Sequence, residues 1–277
     1  MKTASISYLN DIFLASLLFF LLIACHPNPY RSSNQQQRQQ LKQMIKDLRN
    51  QPNVPVSDTI VQPPYWVGTT NFNWRRPGYV IIHHTAQNSC DQTLKTFITP
   101  AAQVSAHYVI CKDGTIHHML NDYLRANHAG VSRWGNMTDI NSLSIGIELD
   151  NNGFESFDSL QVNSLLSLLG NLKKQYNLPA AHFIGHGDIA PTRKNDPNFR
   201  FPWKLLASQG FGLWYNDSLA AVPPDFNHLQ ALRIIGYDMR DTTAAIRAFK
   251  RHFMQDTTRR LTETDKQVLF DLQRKYF

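Results

Sequence analysis

Tyr79-Val80-Ile81-Ile82-His83-His84-Thr85-Ala86 is the stretch that decides the fold. A short apolar run of this kind reads as a buried strand. It ends on two histidines. Side chains alternate along a strand, so His83 shares a face with Ile81 and His84 shares the other with Ile82. Only one of the two can reach a site shared with neighbouring strands.

Working outward, similar runs recur. His107-Tyr108-Val109-Ile110-Cys111 and Thr115-Ile116-His117-His118-Met119 flank Lys112-Asp113-Gly114, and Asp-Gly between two such runs predicts a hairpin. Ser144-Ile145-Gly146-Ile147-Glu148-Leu149 reads as a strand. Asp158 stands where it can cap a helix with an apolar stripe of Val162, Leu165, Leu166, Leu169, Leu172 and Tyr176, broken by Asn177 and Pro179. His182-Phe183-Ile184 is a short strand ending at Gly185-His186. Strands alternating with covering helices predict an α/β fold, a mixed central sheet with flanking helices, over about residues 63–210. The tail, 218–277, differs. Leu229, Leu232 and Ile235, then Ile246, Phe249 and Phe253, then Val268, Leu269, Leu272 and Tyr276 form three helical stripes, with Thr262 and Asp265 as a capping box. This predicts a small three-helix domain beginning past Pro223-Pro224.

The 277 residues suffice for one sizeable core and a small second unit, and the formal charge of +7 points to an anionic partner. No basic recognition helix and no aromatics interleaved with Lys and Arg are present, so no nucleic-acid partner is expected. Lys2 followed by the run Ile12–Ile23, apolar except for Ser16, has the length of a signal-peptide core and is too short for a comfortable membrane span. Asp11 is unusual in such a leader. Leu22-Ile23-Ala24-Cys25 resembles the lipobox of bacterial lipoproteins, which implies a signal peptide over 1–25 and lipidation of Cys25. Residues 26–62, with Gln35–Gln40 and several prolines, read as a polar tether; Leu41, Met44, Ile45 and Leu48 recur there at helical spacing. Export leaves Cys90 and Cys111 either as a disulfide or as two small buried thiols.

Three segments place polar groups in or at the ends of apolar strands. His83 ends the first. The second is Gly185-His186-Gly187-Asp188-Ile189-Ala190-Pro191-Thr192-Arg193-Lys194-Asn195-Asp196-Pro197, which carries a histidine, two aspartates and a lysine in one loop. Zinc takes imidazole nitrogen and carboxylate oxygen, and two histidines plus one aspartate satisfy a catalytic site with a position left open. On chemistry alone, Asp188 and Asp196 compete for the third place. The third segment holds Glu148, expensive in an apolar strand unless paired or functional. Small Ser144 and Gly146 on its face leave room for a ligand.

These segments, with Ser105-Ala106-His107-Tyr108 and Asn127-His128-Ala129-Gly130, resemble the N-acetylmuramoyl-L-alanine amidase family, which shares its fold with phage lysozyme-type amidases and peptidoglycan recognition proteins. The likeness covers about residues 65–207 and is greatest to the lipoprotein members. It implies one zinc ion per chain on His83, His186 and Asp196, with Glu148 as acid/base and Lys194 facing the developing oxyanion. The bond cut would join N-acetylmuramic acid to L-alanine in peptidoglycan or its muropeptide fragments. His128 would touch substrate, and the tail resembles a peptidoglycan-binding-like domain. Gly187 departs from the family, where Ser or another small polar residue stands, and would loosen its loop. His84, His107, His117 and His118 read as structural or surface groups. Cys25 would anchor a monomer by lipid in the bacterial envelope, at the outer membrane facing the periplasm. A peptidoglycan-binding lipoprotein that does not cut is the alternative, but such members usually lose a ligand, and here every one is present.

Overall fold

The computed structural model describes residues 28–49 and 67–276, in two compact units divided at Phe72 and Asn73. The leader 1–25 with Cys25, and residues 26–27 and 50–62 of the tether, lie outside the described residues. The first unit contains helix α1, Arg31–Leu48, which carries the Leu41, Met44, Ile45 and Leu48 stripe. No helix among the described residues is long and apolar enough to cross a membrane.

The second unit is built on a five-stranded sheet. Strands β1 (Tyr79–His84), β2 (Tyr108–Ile110), β3 (Ile116–His118), β4 (Ser144–Leu149) and β5 (Phe183–Gly185) lie in the order β3-β2-β4-β1-β5. Only the β2–β3 hairpin is antiparallel; β2–β4, β4–β1 and β1–β5 are parallel. The hairpin turns at Gly114, whose φ of +87° is open to a residue without a Cβ. Helix α2 (Cys90–Phe97) follows β1, capped by the Ser89 hydroxyl. Cys90 at its start is disulfide-bonded to Cys111 at the end of β2, so the pairing left open in the sequence is made. The short α3 (Ile140–Leu143) leads into β4.

Strands buried on both faces need two covering layers. Val80, Ile82, Ile145, Ile147 and Leu149 form one core with Val162, Leu165, Leu169 and Leu172 of α4 (Ser159–Tyr176). Asp158 stands at the N-cap of α4 without a side-chain cap bond, and Asn177 ends it in the left-handed region. On the other face, Ile81 and Ile184 pack with Ile189 of α5 (His186–Ile189) and with the tail. After α6 (Trp203–Ser208), the tail comprises α7 (His228–Ile235), α8 (Thr242–Phe249), a π-helical turn at Lys250–Met254 and α9 (Glu263–Tyr276). Leu232, Ile235, Phe249, Phe253, Val268, Leu269 and Leu272 join the Ile81 cluster. The three stripes read from the sequence therefore cover the second face of the sheet. Thr262 and Asp265 exchange the two bonds of a capping box at α9, 2.8 and 3.2 Å.

Candidate active site

In parallel sheets the carboxyl ends of the strands are where ligand sites form. His83 is the fifth residue of β1, Glu148 sits opposite it in the parallel register with β4, and His186 follows directly on β5. The β1–β4–β5 neighbourhood thus places two imidazoles and a carboxyl group at one end of the sheet. The loop after α5 returns Asp196 to the same point. His83 Nδ1 lies 2.9 Å from His186 Nδ1 and 3.1 Å from Asp196 Oδ2, and His186 Nδ1 lies 3.0 Å from that same oxygen. All three residues are buried, and together they could hold a metal ion. Tetrahedral zinc with bonds of about 2.0–2.1 Å spaces its ligand atoms about 3.3 Å apart. The triangle matches that within a few tenths of an ångström.

The protonation states suit a cation. Burial, with His186 nearby, lowers His83 to about 4, so its imidazole is neutral at neutral pH. Burial alone would raise Asp196; the His186 and His83 imidazoles outweigh it and hold the carboxyl well below the usual range. Glu148 Oε1 lies 3.9 Å from His83 Nδ1, and Oε2 is buried with no hydrogen-bond partner among the described residues. Burial, reinforced by Asp196, pushes Glu148 up to about 8. A buried, unpartnered carboxyl oxygen beside a cluster that could hold a metal is a group that a water molecule would satisfy. Lys194, half-buried, is close enough for its charge to act on His83 and Glu148.

Each histidine is fixed from behind, and the partners assign the tautomers. His186 Nε2 donates to Ala129 O at 3.0 Å, an oxygen that also accepts from Arg193 Nη2 at 2.8 Å. His83 Nε2 donates to His128 Nδ1 at 3.1 Å, His128 Nε2 donates to Ser144 Oγ at 3.2 Å, and Ser144 Oγ donates to Ile140 O at 2.6 Å. His128, expected at the substrate, is buried with both ring nitrogens engaged inside the protein. Its ring lies against Gly146, where a Cβ would overlap it. The room that small residues on β4 leave is filled by this imidazole. His84 faces the other side and accepts from Asn198 N at 3.1 Å, as the alternation requires.

Asp188 is turned away from the histidine pair. Its carboxylate accepts from Gly185 N, Tyr237 Oη and His252 Nδ1. Asn141, Arg193, Tyr237, Arg251 and His252 all brace the site, and the sequence reading missed these supporting roles. Asn141 Oδ1 accepts from both His128 N and Ala129 N. The only advance signal was charge or amide placed among apolar residues, which a solvated surface also produces.

Two buried imidazoles and a carboxylate at the carboxyl ends of parallel strands, with an unpartnered Glu148 oxygen beside them, form a cluster that could hold a metal ion of the kind hydrolases use. Residues 73–199 match the family model described as N-acetylmuramoyl-L-alanine amidase. The chain is 33% identical over 206 residues to the N-acetylmuramoyl-L-alanine amidase AmiD of Escherichia coli, covering 63% of this chain and 74% of that one. It superposes on the solved complex of E. coli AmiD with anhydro-N-acetylmuramic acid-L-Ala-D-γ-Glu-L-Lys at a TM-score of 0.66, with 28% identity, over 76% of this chain and 93% of the other. AmpDh3 of Pseudomonas aeruginosa in complex with an anhydromuramic pentapeptide aligns at a TM-score of 0.67, with 28% identity, over 79% and 99%. The chain belongs to the N-acetylmuramoyl-L-alanine amidase family.

Proposed function

We propose that this chain is a zinc-dependent amidase that hydrolyses the bond between N-acetylmuramic acid and L-alanine in peptidoglycan and its anhydro-muropeptide fragments. The observation that carries the reading is the convergence of His83 Nδ1, His186 Nδ1 and Asp196 Oδ2 within 3.1 Å of one another, beside the unpartnered Glu148 Oε2. His83, His186 and Asp196 would hold one zinc ion per chain. Bound zinc supplies a Lewis acid that polarises the scissile carbonyl and acidifies the attacking water. Glu148 takes the water's proton, then delivers it to the departing amine of L-alanine. Lys194 presents a positive charge to the oxygen that gains negative charge as the carbonyl is attacked. His128 holds the His83 imidazole in its tautomer. That two relatives of like fold are solved with anhydromuropeptides supports wall fragments as substrates. Lipidation at Cys25 would keep the enzyme, as a monomer, at the outer membrane beside the wall.

Digesting purified peptidoglycan and anhydro-muropeptides with the zinc-loaded chain tests this. A new free amino group on L-alanine with the glycan intact, lost on chelation and restored by zinc, is the expected result. Cleavage between stem-peptide residues, or undiminished activity in metal-free protein, overturns it.

A further inference from the structure

We propose that Arg251 and His252, in the tail, are positioning residues that clamp the turn carrying His186 and thereby set the geometry of the metal ligands. The inference rests on the zinc reading above. Both residues stand in the five-residue π-helical turn that follows α8, a rare geometry often found at functional sites. Arg251 is 5% exposed and His252 4%. Burying a guanidinium and an imidazole is unfavourable unless each finds a fixed partner. Both find it in the same four-residue turn, 64 positions earlier in the chain.

Arg251 Nη2 donates to Gly187 O at 3.1 Å, and Gly187 N donates to Asp196 O at 2.6 Å. The guanidinium thus reaches, through one glycine residue, the backbone of the carboxylate ligand. His252 Nδ1 meets Asp188 Oδ2 at 2.7 Å, the oxygen that also accepts Gly185 N at 2.9 Å; Tyr237 Oη takes Asp188 Oδ1 at 3.0 Å. His186 lies between Gly185 and Gly187, so it is held on both sides. Trp203 stacks on the His252 ring, centroids 3.9 Å apart and 11° from parallel, which fixes the donor's direction. Gly187 now has a reason. A Cβ there would run into the Arg251 guanidinium, so the absent side chain tightens the turn, where the sequence reading expected it to loosen.

The test uses the full chain, with zinc affinity measured by competition against a chromophoric chelator. A second readout, free of metal, is amide hydrogen exchange at Gly187. Arg251→Met and His252→Phe, the latter keeping a ring for Trp203, should each weaken zinc binding about 10- to 100-fold and speed Gly187 exchange. His252→Asn, which returns a donor near the Nδ1 position, should restore most of both. Gly187→Ala should weaken zinc in the native background and add little in Arg251→Ala, because the clash partner is then gone. Wild-type zinc affinity and wild-type Gly187 exchange in both Arg251→Met and His252→Phe would overturn the clamp. Should His252→Phe fail to fold, the Gly187/Arg251 cycle decides alone. A wild-type chain that binds no zinc refutes the metal reading, and Gly187 exchange still decides the clamp.

Discussion

His83 and His186 occupy corresponding places, each at the carboxyl end of a parallel strand, yet they are held in opposite ways. Behind His83 the support runs inside the sheet region, through His128 and Ser144 to the Ile140 carbonyl. Behind His186 it comes partly from the loop that also carries His128, through the Ala129 carbonyl, and partly from outside that region, through a turn gripped by tail residues 64 positions away. A ligand on a strand inherits the strand's rigidity; a ligand on a turn must have its rigidity supplied by whatever packs against the turn. The tail then does more than cover an apolar face.

The comparison can be broken at several points. The largest effect is expected at the group between the two arms. Glu148→Gln should lower kcat about 10²- to 10⁴-fold while zinc content, measured by metal analysis, stays near one per chain; loss of zinc in that variant would mean that Glu148 holds metal. Next is acid stability at His107, which holds Gly146 of β4 beside the strand-borne arm. His107 Nδ1 accepts from Gly146 N and Nε2 donates to Leu124 O, and burial lowers it to about 4 from an ordinary 6.5. Between those values the unfolded chain binds a proton that the folded chain refuses. The contribution of His107 to stability is therefore complete above about pH 6.5 and falls as pH drops toward 4, by up to about 3 kcal/mol. Urea titrations across that range should show the slope in the wild type and a slope smaller by this one histidine's share in His107→Gln, since buried His83, His84 and His128 are lowered as well. His128→Ala should weaken zinc about 10- to 100-fold, read by chelator competition, without altering exchange at Gly187. If it disturbs Gly187 equally, the two arms are one. Smallest is Ser144→Ala, which leaves the buried His128 Nε2–H without its acceptor and should cost about 1–2 kcal/mol of stability in chemical unfolding.

Much of this site was legible before any coordinates. Alternation along Tyr79–His84 separates His83 from His84, and the structure sends them to opposite faces. Gly114 and the Asp-Gly turn foretell the hairpin, and the 3.6-residue stripes foretell α4 and the three tail helices. His128 was harder. A histidine before Ala-Gly in a loop looks accessible, and only the fit of its ring over Gly146 buries it. Asp188 and Asp196 could not be separated by chemistry, since either carboxylate suits a cation; the structure puts Asp196 with the histidines and gives Asp188 to Tyr237 and His252.

The sequence by itself determined the strands, the helices and the residues standing at the strand ends, because those follow from periods of two and 3.6 that operate over a few neighbours. Tertiary structure alone decided what stands behind His83 and His186, His128 from 45 positions away and Arg251 and His252 on the His186 turn from 64, and it alone joined Cys90 to Cys111 across 21. Such partners meet only when the sheet has formed and both its faces are covered. No local period records that meeting, and a buried charge acquires its meaning from the group it is packed against.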